Sequence, residues 1–217
     1  MGREVYAMIL ALGDCNIVGA NSYAGKNYID IVAEHLQTKA KNCGITMSTT
    51  REGVILFHEC SSYNTSLVIV AYGLVDSWRT FKYAPYVLYY PDNFLRKFAR
   101  KVVKKYKKLA RSLGLNEKLG QKFVVPPQEY MQNLSFIAAK SKRVLFIETP
   151  PHLTETFRNP DIKYYNQLMA KVAAQYPHAD VVRIYEDFAK DSSLYLDEIH
   201  FNQKGYELVA HKILEQL

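Results

Sequence analysis

The chain has 217 residues, 48% of them hydrophobic and 23% charged, a balance that suits one large globular domain and excludes a disordered or low-complexity polypeptide. No run of about eighteen apolar residues occurs, so no membrane-spanning helix is expected. Three widely spaced cysteines, Cys15, Cys43 and Cys60, give neither a disulfide framework nor metal-ligand spacing. The formal net charge of +7 is uneven: residues 94–122 carry eleven Lys/Arg against one acid, Glu117, and the remainder is net acidic. The basicity therefore describes a patch. Residues 1–5 lead into the first apolar run without a basic segment, an apolar core and a small-residue cleavage site, which points to a cytoplasmic protein.

Residues 6–12 are apolar on both faces and run into Gly13-Asp14-Cys15-Asn16. That pattern predicts a buried central strand of a parallel sheet. Ligands of such sheets bind beyond the carboxyl ends of the strands, so Cys15 lies where a nucleophile would sit. Nearby backbone N–H groups and the positive end of a following helix are expected to favour its thiolate. The competing reading is a small buried cysteine that only packs.

A Gly/Ser/Asn loop is predicted over 18–25, then a helix from about Asn27 with Tyr28, Ile31, Val32, Leu36 and Ala40 at helical spacing and Gly44 as its stop. Residues 45–50 are β-branched and alternating, which predicts the second strand. Residues 54–60 suit a short helix. Residues 66–72 form another apolar strand, ending in Gly73-Leu74-Val75-Asp76. Residues 143–148 form a further one, ending in Thr149-Pro150-Pro151-His152. An amphipathic helix over 161–176, a last strand over 179–185 and a final helix over 203–216 capped by Asn202 complete the pattern.

Strands alternating with helices imply a three-layer α/β/α sandwich around a central parallel sheet, with right-handed crossovers. Residues 77–142 interrupt this alternation and are too long for a βα connection. They open with Trp78, Phe81, Tyr83, Tyr86, Tyr89 and Tyr90. A basic amphipathic helix follows, with Leu95, Phe98, Val102, Tyr106, Leu109 and Leu113 on one face. The segment is read as an inserted helical lid over the carboxyl edge of the sheet, within a single domain spanning 1–217.

The most informative pattern lies near the end, Asp197-Glu198-Ile199-His200 followed by Phe201-Asn202-Gln203-Lys204-Gly205-Tyr206. An acid three residues before a histidine can accept from imidazole Nδ1–H and leave Nε2 free as a base. A loop after the last strand returns beside the carboxyl end of the first, so Cys15, His200 and Asp197 can meet.

Here the chain resembles the SGNH, or GDSL-like, hydrolase family. Gly13-Asp14-Cys15-Asn16 resembles its first block, Gly-Asp-Ser. Asp197-x-x-His200 with the Gly-containing helix start resembles its last block, Gly73-Leu74-Val75-Asp76 sits where the family has Gly-x-Asn-Asp, and Thr149-Pro150-Pro151 resembles the end of its fourth strand. The resemblance implies an SGNH-hydrolase, flavodoxin-like fold and a catalytic triad of Cys15, His200 and Asp197. It implies an oxyanion hole from the backbone N–H groups of Cys15 and Gly73, with Gly53 as the candidate for the second-block glycine. Asp14, Asn16, Asp76, Trp78 and His152 are the candidates for substrate contacts.

Two departures matter. Cysteine replaces the family serine, a change that still supplies an acyl acceptor, and Val75 replaces the oxyanion-hole asparagine, a loss that typically costs about 10²–10³ in rate. The implied activity is an acyl-ester hydrolase, an esterase or deacetylase on O-acylated carbohydrate, with no cofactor and no metal. The alternatives are O-acyl transfer to a surface polysaccharide from an acyl-CoA donor, and an inactive domain that binds glycan or a partner. The basic helix is either a solvated face or a contact for anionic polysaccharide, for the CoA-linked donor or for anionic lipid headgroups. Nucleic acid is disfavoured, since no recognition motif accompanies the patch.

Overall fold

The computed structural model describes residues 6–19 and 23–217. Residues 1–5, on which the expectation about a leader rests, and 20–22 of the expected Gly/Ser/Asn loop lie outside the described residues. In chain order the elements are β1 (Met8–Gly13), α1 (Cys15–Val18), α2 (Tyr28–His35), β2 (Lys39–Asn42), α3 (Thr50–Cys60), β3 (Leu67–Ala71), β4 (Arg79–Phe81), α4 (Phe94–Ser112), α5 (Leu115–Leu119), β5 (Gln121–Phe123), α6 (Pro127–Lys140), β6 (Val144–Ile147), α7 (Asn159–Ala173), β7 (Ala179–Val182), α8 (Tyr185–Lys190) and α9 (Gln203–Leu214).

One parallel sheet runs in the order β2-β1-β3-β6-β7, while β4 and β5 pair antiparallel on their own. Among its own strands, the large sheet follows the flavodoxin-like order, in which winding reverses between the first and third strands and opens a crevice at their carboxyl ends. Here that crevice lies between Gly13 and Ala71. Ile9, Ala11, Leu67, Ile69, Leu145 and Ile147 face α2 and α9. Their neighbours Leu10, Leu12, Val68, Val70, Val144 and Phe146 face α3, α6 and α7. Alternate residues of a strand point to opposite faces. With both faces covered, each strand must be apolar throughout, which is why these strands are legible as unbroken runs.

Two elements differ from the expectation. The second strand is Lys39–Asn42, fully exposed, at the edge of the sheet. Its residues carry no apolar pattern because its pairing rests on backbone bonds to β1. The predicted strand over 45–50 is instead a loop pinned to the end of β1, with Ile45 N–H donating to Gly13 O at 3.0 Å and Ser48 Oγ donating to the same carbonyl at 3.1 Å. Helix α2 accordingly stops at His35, before Ala40. Helix α3 starts earlier than expected because Thr49 and Glu52 form a capping box there.

The segment 77–142 divides in two. Residues 79–123 form an arm whose Tyr86 and Tyr90 pack on the core beside α3, where Tyr86 O–H and Tyr89 N–H donate to Glu52, and in which α4 packs on α5 and β4 over a small cluster of Phe81, Ala84, Ala110 and Leu115. Helix α6 belongs to the sandwich and packs against α3 and α7. Arg79 ties the arm to α7 through paired bonds to Asp161 at 2.6 and 2.8 Å. Among the described residues no helix is long and apolar enough to cross a membrane.

Candidate active site

Cys15 opens α1 immediately after β1. Asp14 caps that helix, its Oδ1 accepting from Asn16 N–H at 3.1 Å. The backbone N–H groups of Cys15 and Asn16 lower the thiol pKa, as the sequence suggests, but they do not prevail. Burial and then the Asp14 carboxylate push the thiol well above its ordinary value, and Cys15 is only 3% exposed. The expectation of a favoured thiolate is therefore corrected: in the resting protein Cys15 is a thiol. Asp14 is itself raised to about 7, first by burial and also by Asp76.

The Asp197–His200 loop is fully formed. An antiparallel bridge between Tyr195 and Phe201 closes its base, and Leu196 N–H donates to His200 O at 2.8 Å. Asp197 Oδ1 accepts from the N–H groups of Ile199 and His200 at 2.9 and 2.8 Å, an Asx turn that aims Oδ2 at the imidazole. Oδ2 and His200 Nδ1 are 2.6 Å apart. Burial raises the Asp197 pKa, but those two N–H groups and the imidazole outweigh it and hold the carboxyl below its ordinary value. An ionised carboxylate can only accept, so Nδ1 carries the proton and Nε2 is left as the basic nitrogen.

Cys15 and this loop share the same rim. Cys15, Leu74, Ile162 and Tyr185 form one buried cluster, and Ile199, the residue before His200, packs against it. Asp197 is close enough to raise the Cys15 pKa. No hydrogen bond joins the sulfur to the imidazole among the described residues, so the structure brings the groups to one rim without closing the contact between them.

Gly73 adopts φ +145°, and a Cβ there would meet Thr149 Oγ1 at 2.5 Å, so the position requires glycine. The N–H groups of Gly73 and Cys15 donate to no backbone carbonyl among the described residues. Gly53 lies inside α3, donates to Thr49 O at 3.1 Å and faces the Tyr72 ring. Its N–H is spent, which removes it as an oxyanion donor. Val75 is buried in the core beside α3 and α6 and supplies no polar group.

Of the candidate substrate contacts, Asp76 is fully buried and its Oδ1 accepts from Thr50 N–H and Thr50 Oγ–H at 3.0 and 2.7 Å. It fixes the start of α3, and burial raises its pKa to about 7. Asn16 is buried with Oδ1 unpartnered. Trp78 is half-buried under the Arg158 guanidinium, 4.5 Å from its ring. His152 accepts from Glu155 N–H through Nδ1 at 3.1 Å and sits beside the Asp197 loop, where Leu153 N–H donates to Glu198 O. Burial, and next Arg158, lower its pKa, so it is neutral near pH 7.

Sequence reasoning missed two residues at this rim. Met47, on the loop pinned to Gly13, has φ +66°, the left-handed region where glycine is usual, and its N–H has no acceptor among the described residues. Arg158 is 7% exposed, donates through Nη2 to Leu74 O at 2.9 Å and lies close enough to Cys15 that a thiolate there would raise its pKa. No sequence signal marks either one: a methionine in a polar loop and an arginine ahead of Asn159-Pro160 carry no motif. Among the described residues no group of three His, Cys, Asp or Glu is placed to hold a metal ion.

A sequence model of the GDSL-like lipase/acylhydrolase family matches residues 11–208. Among solved structures the chain resembles LAE5, an α/β hydrolase enzyme from the metagenome of Lake Arreo, Spain, at 18% identity and a TM-score of 0.63, covering 96% of this chain and 94% of that one. It also resembles Axe2, an acetylxylan esterase from Geobacillus stearothermophilus, at 16% identity and a TM-score of 0.64, covering 98% and 95%. Catalytic mutants of Axe2 replace a serine, an aspartate and the histidine three positions beyond that aspartate. No curated protein matches.

Proposed function

The chain belongs to the GDSL-like lipase/acylhydrolase family and is an enzyme of the hydrolase kind, and from that premise we propose that it cleaves acyl esters of carbohydrates through Cys15, His200 and Asp197. The observation that carries the reading is the 2.6 Å Asp197–His200 pair, on a loop packed against the Cys15 cluster. The aspartate-to-histidine spacing in the Axe2 catalytic mutants supports it.

His200 Nε2 takes the proton from Sγ as the sulfur attacks the ester carbonyl carbon. The tetrahedral oxyanion is held by backbone N–H groups of Cys15, Gly73 and Met47, which together replace the donor missing at Val75. His200 then gives its proton to the departing sugar hydroxyl, leaving a thioester on Cys15. Water, deprotonated by His200, attacks that thioester; the carboxylic acid leaves and the sulfur regains its proton. Asp197 keeps the imidazole in the required tautomer throughout. Because Cys15 rests as a thiol, each turnover needs the base, as it would with serine.

Two other readings each have an observation behind them. The basic arm favours O-acyl transfer from an acyl-CoA donor. The buried sulfur and Val75 favour a domain that binds glycan without turnover. Release of acetate from acetylated xylooligosaccharide, measured beside acetyl-CoA cleavage, separates them. Acetate release lost in Cys15→Ala and kept in Cys15→Ser supports the hydrolase. Acetyl-CoA cleavage alone supports transfer, and neither activity supports binding.

A further inference from the structure

Helix α4 leaves the wrong face bare. Nineteen residues make it about 28 Å long at 1.5 Å per residue. Only Ala110 is fully buried along it, with Arg96, Ala99, Arg100, Val103 and Lys107 half-buried along the edge that meets the arm. The neighbouring edge carries Leu95, Phe98, Val102, Leu109 and Leu113, spaced by three, four, seven and four residues, and every one of them is at least 50% exposed. Their spacing puts them in one stripe along the helix. A continuous apolar stripe of this length on a soluble surface marks a contact, since scattered single residues would not line up.

Charge identifies the contact. Lys101, Lys104, Lys105, Lys108 and Arg111 are exposed and enter no ion pair among the described residues. Asp92, at the helix start, is paired with Lys97 and Arg100 at 3.1 and 2.5 Å. No acid lies within α4 itself. Two copies of so basic a helix would repel each other, which argues against pairing with a second chain. A polyanion in solution would satisfy the lysines and leave the leucines and phenylalanine wet. A surface that is both anionic and apolar satisfies both, and an acidic bilayer is that surface.

We propose that α4 is an in-plane membrane anchor: its Leu95–Phe98–Val102–Leu109–Leu113 stripe enters the headgroup and acyl boundary of an anionic bilayer while the flanking lysines meet the lipid phosphates. The arm that carries α4 begins at Arg79, three residues after Asp76 on the loop that leaves the carboxyl end of β3, so docking brings the protein to its membrane on a mount built next to the catalytic rim. The inference stands on α4 alone and is independent of the reaction assigned to Cys15.

The test uses the full chain with vesicles of equimolar phosphatidylcholine and phosphatidylglycerol, and with pure phosphatidylcholine as the uncharged control. The protein sediments with the anionic vesicles and stays in solution with the neutral ones. Phe98→Asp with Leu109→Asp, and separately Lys101→Glu with Lys104→Glu and Lys108→Glu, each weaken anionic-vesicle binding at least about tenfold. Circular dichroism and the melting temperature show whether each variant has kept the fold. Should the aspartate pair unfold the arm, Val102→Trp gives an independent reading: its emission is quenched by lipids brominated in the acyl chains, whereas that of the native Trp78 is not.

Failure of the wild-type chain to bind anionic vesicles overturns the proposal. Binding that needs the lysines but survives the aspartate pair overturns it in favour of a soluble polyanion. A concentration-dependent dimer that Phe98→Asp disrupts, with no vesicle binding, overturns it in favour of a second copy.

Discussion

The two arms of the active rim are built to different degrees. The Asp197–His200 loop is complete, with both carboxylate oxygens occupied and the imidazole held in one tautomer. The Cys15 side is restrained, its sulfur buried and its proton held by burial and by Asp14. Under the proposed mechanism, the difference leaves the nucleophile at rest and assigns its deprotonation to His200 with substrate present. A free reactive thiolate would be exposed to oxidation and alkylation at all times, and burial avoids that at the cost of dependence on the imidazole.

The largest expected effect comes from breaking the finished arm. His200→Ala lowers ester kcat/KM by about 10³–10⁴, and Asp197→Asn by a similar factor, because the imidazole then loses its base or its tautomer. Steady-state kinetics on a water-soluble ester measures both. An unaffected Asp197→Asn protein would mean that the 2.6 Å pair is ornamental.

Gly73→Ala comes next. Its Cβ has to push Thr149 away from a 2.5 Å contact in a backbone conformation that alanine avoids, so kcat falls by about 10²-fold or more as the N–H leaves the oxyanion position. Gly53→Ala perturbs α3 against Tyr72 and lowers the melting temperature, and the residual activity per folded molecule is unchanged. Measuring both variants separates a donor from a packing glycine.

The restrained arm is sharpened by Asp14→Asn. Removing that carboxylate lowers the Cys15 pKa, and the rate of alkylation by iodoacetamide at pH 8 rises by about tenfold, one pKa unit. An unchanged rate would assign the whole restraint to burial.

The smallest effect is on stability. Asp14 and Asp76 have folded pKa values of about 7, above their ordinary carboxyl value. The folded state therefore binds more protons than the unfolded one between about pH 4 and 7. Their contribution is complete below that window and is lost as pH rises through it. Urea unfolding should show stability declining between pH 4 and 7, with a smaller slope in Asp14→Asn.

How much of this was legible follows from what each residue answers to. The strands β1, β3 and β6 have helices on both faces, so burial writes itself into the sequence as apolar runs. The Asp197-x-x-His200 loop is local, and its four residues carry their own geometry. Strand β2 was hidden because an edge strand of Lys39, Ala40, Lys41 and Asn42 is defined by its neighbour's backbone. The β-branched look of 45–50 misled because Ile45 and Ser48 answer to Gly13 O instead of to a strand. The Cys15 thiolate failed for a related reason. The N–H groups at the helix start are visible from sequence, and the desolvation that outweighs them depends on Leu74, Ile162 and Tyr185 arriving from elsewhere in the chain. Met47 and Arg158 answer only to the folded rim.

The most direct test of the central claim is intact-protein mass spectrometry after a brief exposure to p-nitrophenyl acetate at neutral pH. The account predicts one acetyl group on wild-type protein, mapped to Cys15, and none on His200→Ala or Cys15→Ala. Unmodified wild-type protein, or an acetyl group on Cys15 that forms equally well without His200, would contradict it.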